Sequence, residues 1–269
     1  MFELKMPLRE QNSNKGTFGK VLNVAGSESY IGAPYLSTKA ILKIGAGYAC
    51  LASNDNIIKS VSTMLPEAVY MTPSKAYDKL DNFDVLLIGC GLGTTFTSKS
   101  KFSLFINGII DKDKPVIIDA DGINILSDIK KFNLPQKLIL TPHPMEASRL
   151  LHVNISEILN DIEGSAKAIT EKYGCITVLK THETVVCSNK DIYTNRFGNS
   201  ALAKAGTGDV LAGIIAGLTA QKMDLFEASK LGVYMHSRAG ELASKELTEY
   251  SVLASDLFDY LPQVISEIL

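Results

Sequence analysis

The sequence predicts an α/β protein with a mainly parallel central sheet flanked by helices on both faces, and three observations predict it. Short apolar runs alternate with helical patterns along the whole chain, as they do in strand–crossover–strand units. Two of those runs, Val85-Leu86-Leu87-Ile88 and Val116-Ile117-Ile118, are apolar without alternation, the pattern of strands covered on both faces. Strand after strand ends in a polar or glycine-rich cluster, and open parallel sheets bind ligands at the carboxyl ends of their strands.

Strands are expected at residues 20–25, 47–52, 84–89, 115–119, 137–141, 175–180, 184–187 and 192–195. Helical patterns cover 33–44, 98–110, 144–151, 155–173, 208–220, 225–247 and 255–268. The last two strands differ from the rest. Val185-Val186-Cys187, the polar turn Ser188-Asn189-Lys190-Asp191 and Ile192-Tyr193 form a β-hairpin pattern, expected antiparallel toward one end of the sheet. No linker, low-complexity tract or repeat divides the chain, so residues 1–269 are expected to form a single domain. At 46% hydrophobic residues the chain is long enough for a large core.

Composition narrows the function classes. A net charge of −2 offers no broad basic field for nucleic acid or an anionic membrane. The apolar stretch at residues 210–220 is too short for a bilayer and holds two glycines. The first 25 residues lack the apolar core of a signal peptide, so a cytoplasmic location is expected. None of Cys50, Cys90, Cys175 and Cys187 forms a CxxC pair. The last three lie in strand-like apolar runs, as buried free thiols do, and no zinc site is expected.

Five strand-end clusters should converge on one cleft: Ala25-Gly26-Ser27, Gly89-Cys90-Gly91-Leu92-Gly93, Asp119-Ala120-Asp121-Gly122, Thr141-Pro142-His143-Pro144 and Lys180-Thr181-His182. The motif that carries chemistry is Gly206-Thr207-Gly208-Asp209, which precedes an apolar helix. Its glycines allow close approach of a ligand. Free amides and the dipole at the helix start favour an anion, as phosphoryl transfer requires, and Asp209 can accept a proton from an attacking hydroxyl. The same turn also fits a plain helix cap. It is not a P-loop, because no Gly-Lys-Ser/Thr follows.

The other clusters allow two readings each. Gly89–Gly93 is either a tight turn or a backbone approached by ribose or phosphate. Asp119 and Asp121 either hold Mg²⁺ through water, position a hydroxyl or cap a helix at 122–126. His143 is stiffened by prolines on both sides, and Glu146 falls in the first helical turn, where a carboxylate is favourable. Lys15-Gly16 and Gly19-Lys20 either close over phosphates or are solvated loop charge. Lys180, with Thr184 opening the hairpin, either flanks a nucleotide or belongs to an exposed turn.

Taken together and in order, the motifs resemble the NAD(P)H-hydrate dehydratase family of the ribokinase-like superfamily. The matching pieces are Lys15-Gly16-Thr17-Phe18-Gly19, Ala25-Gly26-Ser27 with Gly32-Ala33, residues 89–93, Asp119-Ala120-Asp121, residues 141–146, residues 180–184, and Gly198-Asn199 through Asp209. The resemblance implies a ribokinase-like fold and repair of hydrated NADH and NADPH. ADP in bacterial members, or ATP in eukaryotic ones, phosphorylates the hydroxyl of the S-form hydrate, and phosphate is then eliminated. It implies Asp209 as base and an anion hole from Gly206, Thr207 and Gly208. Hydrate contacts fall on Ala33, Gly91, Gly93, His143 and Asp209. Contacts to the adenine nucleotide fall on Lys180, Thr181, His182, Glu183, Thr184 and Gly208. Mg²⁺ is expected with the nucleotide, and a homo-oligomer, tetrameric by resemblance, with a separate epimerase as pathway partner. The family's epimerase domain has no counterpart here, so dehydratase activity alone is expected. The chain departs from the family at Asn14 (usually His), Met145, Thr181 and Ala205 (each usually Gly). A kinase of the same superfamily, acting on a thiazole, pyrimidine or pyridoxal alcohol, is the alternative; it stops at the phosphate ester.

Overall fold

Alternating strands and helices wind into one nine-stranded sheet. The structure, a computed structural model, describes residues 4–129 and 133–269, so a few residues of the expected 1–269 span lie outside the described residues. In chain order the elements are β1 (Lys20–Val24), α1 (Gly32–Lys43), β2 (Tyr48–Ala52), α2 (Asp55–Ser62), β3 (Val69–Met71), α3 (Pro73–Tyr77), β4 (Val85–Ile88), α4 (Phe96–Ile109), β5 (Val116–Ile118) and α5 (Asp121–Asp128). They continue with β6 (Leu138–Leu140), α6 (Pro144–Leu151), α7 (Ile155–Asn160), α8 (Ile162–Tyr173), β7 (Ile176–Leu179), β8 (Val185–Cys187), β9 (Ile192–Thr194), α9 (Thr207–Ala220), α10 (Leu225–Ser251) and α11 (Leu257–Ile268).

The strand order is β3-β2-β1-β4-β5-β6-β7-β8-β9. Pairing is parallel from β3 to β7 and antiparallel through β8 and β9, as the hairpin pattern predicts. The chain travels outward one way from β1 and then restarts beside it at β4. That reversal opens a crevice at the carboxyl ends of β1 and β4, the place where such sheets receive ligands. Two backbone hydrogen bonds close its base: Gly26 N–H to Cys90 O at 3.0 Å and Gly89 N–H to Val24 O at 3.2 Å.

β3, α2 and α3 lie outside the strands and helices expected from the sequence. β3 is a three-residue edge strand of half-buried side chains, too short to carry a periodic signal. The helical run expected at 155–173 is two helices. Asp161, at φ −144° and ψ 81°, breaks it and caps the second, its Oδ1 accepting from Gly164 N at 2.8 Å.

Helices cover both faces. Phe102 and Phe105 of α4, Ile123 of α5, Ala147 of α6 and Ile169 of α8 pack on one face with Leu86, Ile88, Val116 and Ile118. On the other face, Leu211, Ala212 and Ile215 of α9 pack with Leu87, Ile117, Ile139 and Val178. The opposite flank of α9, Val210, Ile214 and Leu218, packs with Leu231 and Met235 of α10 and Phe258 of α11. Of the fourteen residues of α9, all but Gly208 and Asp209 are buried. A helix apolar all round belongs in the interior, and here only its first turn reaches the cleft.

Close approach to α1 fixes α9 along its length. A Cβ on Gly213 would overlap the Ser37 carbonyl and lie 2.6 Å from Ala40 Cβ. Gly213→Val is therefore expected to lower unfolding free energy by about 1–3 kcal/mol, measured by denaturant titration.

Candidate active site

The first turn of α9 is built around Gly206, which takes φ 93° and ψ −19° at the N-cap, a conformation side chains disfavour. Thr207 locks the turn from within. Its hydroxyl donates to Leu202 O at 2.8 Å and Lys204 O at 2.9 Å, and its N–H is turned toward Lys204 O at 3.4 Å. The N–H groups of Gly208 and Asp209, in the first helical turn, have no acceptor within the helix and face the cleft at its positive end.

Beside this turn lies a network of charges from three strand ends. Lys180, after β7, places its Nζ 2.7 Å from Asp119 Oδ1, after β5. Thr141, after β6, donates its hydroxyl to the same oxygen at 2.6 Å. The backbone N–H of Lys180 is held by Pro142 O at 2.8 Å. Asp119 is 1% exposed, so its charge depends on these donors. The ammonium is also beside Gly208: a Cβ there would lie 3.4 Å from Nζ. Burial pushes the Asp209 carboxyl up to about 7, Asp119 pushes the same way, and Lys180 opposes both. A carboxylate poised near neutrality beside unsatisfied amides is suited to take a proton from a hydroxyl. For Lys180 itself, burial lowers its value, but Asp119, Glu146 and Asp209 outweigh that and raise it.

His143 is the N-cap of α6. Its Nδ1 accepts from Met145 N at 3.1 Å and Glu146 N at 3.2 Å, while Glu146 Oε2 accepts from His143 N at 2.8 Å. Glu146 Oε1 lies 3.2 Å from His143 Nε2. The ring is thus fixed by its own helix with about half its surface open to the cleft. Burial holds the imidazole below its ordinary value, with Lys180 adding to the effect. Burial lifts Glu146 to about 7 against the pull of Lys180.

Ala33, Gly91 and Gly93 are brought together as one wall. A Cβ on Gly91 would meet Ala33 Cβ at 2.8 Å and Tyr30 Cβ at 2.7 Å, so this backbone lies flat against α1. The Gly93 amide donates to Asp121 Oδ2 at 2.8 Å. Across the cleft, residues 180–184 form a loop closed by hydroxyls, Thr181 Oγ1 to Glu183 O at 2.6 Å and Thr184 Oγ1 to Thr181 O at 3.2 Å. Lys180, Thr181, His182, Glu183, Thr184, Gly208 and His143 line a cavity of about 870 Å³ whose floor is Leu211 and Val233.

Some residues stand elsewhere than the sequence suggested. Lys20 opens β1, and a Cβ on Gly19 would overlap the end of α9 at Ala220. The loop of Lys15 and Lys20 is therefore at the amino edge of the sheet and cannot close over phosphates at the carboxyl edge. Asp119 Oδ1 accepts from Lys180 and Thr141, and Asp121 Oδ2 accepts from Gly93 N–H. Cys90, Asp119 and Asp209 offer ligand atoms within 4.8 Å of one another, with Lys180 and Thr141 on Asp119 Oδ1 and its Oδ2 left to the Cys90 thiol. His236, which the sequence pattern does not single out, lines the cavity wall, and burial holds its imidazole down at about 4. All four cysteines are buried and free, as expected, and no helix of the described residues is long and apolar enough to cross a membrane.

A family model for NAD(P)H-hydrate dehydratase matches residues 21–263. The ADP-dependent (S)-NAD(P)H-hydrate dehydratase of Neisseria meningitidis is 38% identical over 242 residues, 87% of this chain and 80% of that protein. The crystal structure of the ADP/ATP-dependent NAD(P)H-hydrate dehydratase of Bacillus subtilis, co-crystallised with ATP/Mg²⁺, superposes with a TM-score of 0.89 at 32% identity, covering 98% of this chain and 95% of that one. A ribokinase-like superfamily protein of Enterococcus faecalis superposes with a TM-score of 0.89 at 30% identity over 98% of this chain and 92% of its own. The chain also matches longer bifunctional NAD(P)H-hydrate repair enzymes, of which it spans about half, 53% in the Coxiella burnetii protein at 34% identity over 97% of this chain. A Gly-Thr-Gly-Asp turn on a buried helix, set in a ribokinase-like sheet and matched over nearly its whole length, assigns the family: this chain belongs to the NAD(P)H-hydrate dehydratases.

Proposed function

We propose that this chain dehydrates the S-form of hydrated NADH and NADPH to the intact reduced cofactors, using ADP or ATP. The observation that carries this reading is Asp209: a carboxyl raised to about 7, on the first turn of a buried helix whose Gly208 and Asp209 amides face the same cleft. The hydrate enters along Ala33, Gly91 and Gly93, toward the exposed edge of His143. The nucleotide fills the cavity of residues 180–184, its terminal phosphate toward Gly208 and Lys180.

Asp209 takes the proton of the hydrate hydroxyl as its oxygen attacks the terminal phosphorus. Charge on the transferred phosphoryl group meets the helix amides and the Lys180 ammonium. The bond from the nucleotide's bridging oxygen to phosphorus breaks, leaving AMP from ADP or ADP from ATP. The ring nitrogen then pushes its electron pair toward the ring carbon that carries the ester, the carbon–oxygen bond breaks, and inorganic phosphate leaves. Loss of a ring proton completes the reduced nicotinamide. Mg²⁺ would accompany the nucleotide and offset the charge of its phosphates, with Asp119 and Asp209 the neighbouring carboxylates that could hold it. The reading extends to a cytoplasmic homotetramer supplied with S hydrate by a separate epimerase.

The test is to incubate the protein with NADH hydrate and ADP or ATP and follow the reduced-nicotinamide absorbance. Nucleotide-dependent recovery is expected. Phosphorylation of a vitamin alcohol without recovery would move the assignment to the kinases.

Asp209→Asn is expected to cut turnover by at least about 10³-fold while nucleotide binding, read by calorimetry, stays within a few fold. The pH profile has a definite sign. The base must be ionised, so the rate of the free enzyme rises with pH through about 7. Stability runs the other way. The folded value lies above the ordinary 3.8, so this group's contribution is complete below that value and is lost as pH rises toward and through about 7. Asp209→Asn should therefore melt higher than the parent at pH 8, with the difference shrinking toward pH 4. Lys180→Met leaves Asp119 buried without its cation and is expected to cost about 3 kcal/mol or more in unfolding free energy, with turnover at pH 7 falling as the acidic limb moves upward.

A further inference from the structure

Part of the lining of the 870 Å³ cavity is apolar, with Phe197, Leu202, Leu211 and Val233. Phe197 differs from the other three in leaving 43% of its surface exposed. An aromatic ring open to water on a cavity wall is apolar area that a ligand can cover. Its place follows from α10. Val233, His236 and Ser237 stand three and four positions apart, so they share the face of α10 that lines the cavity. Tyr234, next to Val233, meets the Phe197 ring edge-to-face, with centroids 4.9 Å apart and planes at 85°. The backbone on both sides of Phe197 is tied to the same helix. Asn195 Nδ2 donates to Phe197 O and to Ser237 Oγ, both at 3.0 Å, and Gly198 N–H donates to Glu241 Oε1 at 2.8 Å. The ring is thus placed before a ligand arrives, which lowers the ordering cost of binding. A second observation in the same lining points to a ligand. His236 is 8% exposed, and its Nε2 is buried with no hydrogen-bond partner. Such a nitrogen is costly unless a bound molecule completes it.

We propose that Phe197 is the nucleobase platform of this cavity: the adenine ring of the nucleotide stacks on its exposed surface, over the apolar floor of Leu211 and Val233. The proposal rests on the reading of this cavity as the nucleotide's. Phe197 lies just before the Gly198-Asn199 motif, outside the residues that the family resemblance assigns to nucleotide contact. Stacking does not read the hydrogen-bonding edge of a base, so Phe197 contributes affinity rather than choice among bases.

The experiment is ADP binding by calorimetry to the parent, Phe197→Leu and Phe197→Tyr, with proton spectra of bound ADP and melting curves alongside. Phe197→Leu keeps apolar bulk and loses the aromatic face, and its Kd for ADP is expected to rise about 10-fold. In Phe197→Tyr, which keeps that face, Kd stays within about twofold of the parent. The adenine ring protons move upfield on binding to the parent and to Phe197→Tyr, and much less on binding to Phe197→Leu, because only an aromatic ring supplies that shift. Unchanged affinity and adenine shifts in Phe197→Leu overturn the proposal. So does an equal loss of affinity in both variants, since a stacking role separates them and a packing role does not. Where Phe197→Leu fails to fold, the parent spectrum decides, and adenine protons unmoved on binding overturn the proposal. A parent that binds no adenine nucleotide removes the reading of the cavity itself; a parent that binds ADP beside an unaffected Phe197→Leu removes only the platform.

Discussion

One buried ion pair, Lys180 to Asp119 at 2.7 Å, sets the electrostatics of the whole cleft. Three carboxylates, Asp119, Glu146 and Asp209, face a single ammonium. Taken from water alone, each would be driven toward its neutral form. The pair sets the ammonium directly against Asp119, while burial raises the other two to about 7. The pair also has a mechanical role. It ties the end of β5 to the end of β7 across β6, whose Thr141 hydroxyl joins the same oxygen, so three strand ends keep a common spacing. An ion pair of this kind is weak evidence for stability; its value here is that it fixes where the ammonium sits among the three carboxylates.

The extent to which the sequence foretold this follows from the range of each interaction. Val85–Ile88 and Val116–Ile118 reveal double-sided burial in a few residues, and the hairpin after Thr184 reveals itself by its turn. β3 could not be seen, because three half-buried edge residues carry no period. In the site, Gly206–Asp209 and His143 were legible because their chemistry is local: a glycine turn before a helix, an imidazole at a helix start. Lys180 and Asp119 are 61 positions apart, and only the strand order brings them together. Cys90 was recognised as a buried thiol, but its position between two aspartates depends on β4 lying beside β5 and on α9 reaching over both. The lysine loop at 15–20 offered two readings that only the topology separates: its residues fit phosphate binding, but the strand that follows starts at the other edge of the sheet, which leaves solvated loop charge.

The positions where this chain departs from its family are explained by local geometry. Thr181, Ala205 and Met145 stand where the family usually has glycine, and none of them takes a positive φ among the described residues. The freedom of glycine is not required there. The Thr181 hydroxyl is absorbed by the Glu183 carbonyl, so the added side chain closes its own loop instead of obstructing the cavity. Asn14 accepts from Gly16 N at 2.8 Å through its Oδ1, a turn-closing role at the edge of the sheet remote from the cleft.

Helix α9 is enclosed by the sheet, α1, α10 and α11, and only its first turn emerges. The stationary part of the reaction is therefore decided in advance. Asp209 and the amides beside it are held in place, because any tilt of α9 would disturb packing along its entire length. The opposite rim is built from shorter pieces: the hydroxyl-closed loop after β7, the cap of α6 and the turn that leads into α1. The cleft therefore joins one deeply anchored point to a perimeter held only by local hydrogen bonds, so the first turn of α9 is the reference against which anything in the cleft is placed.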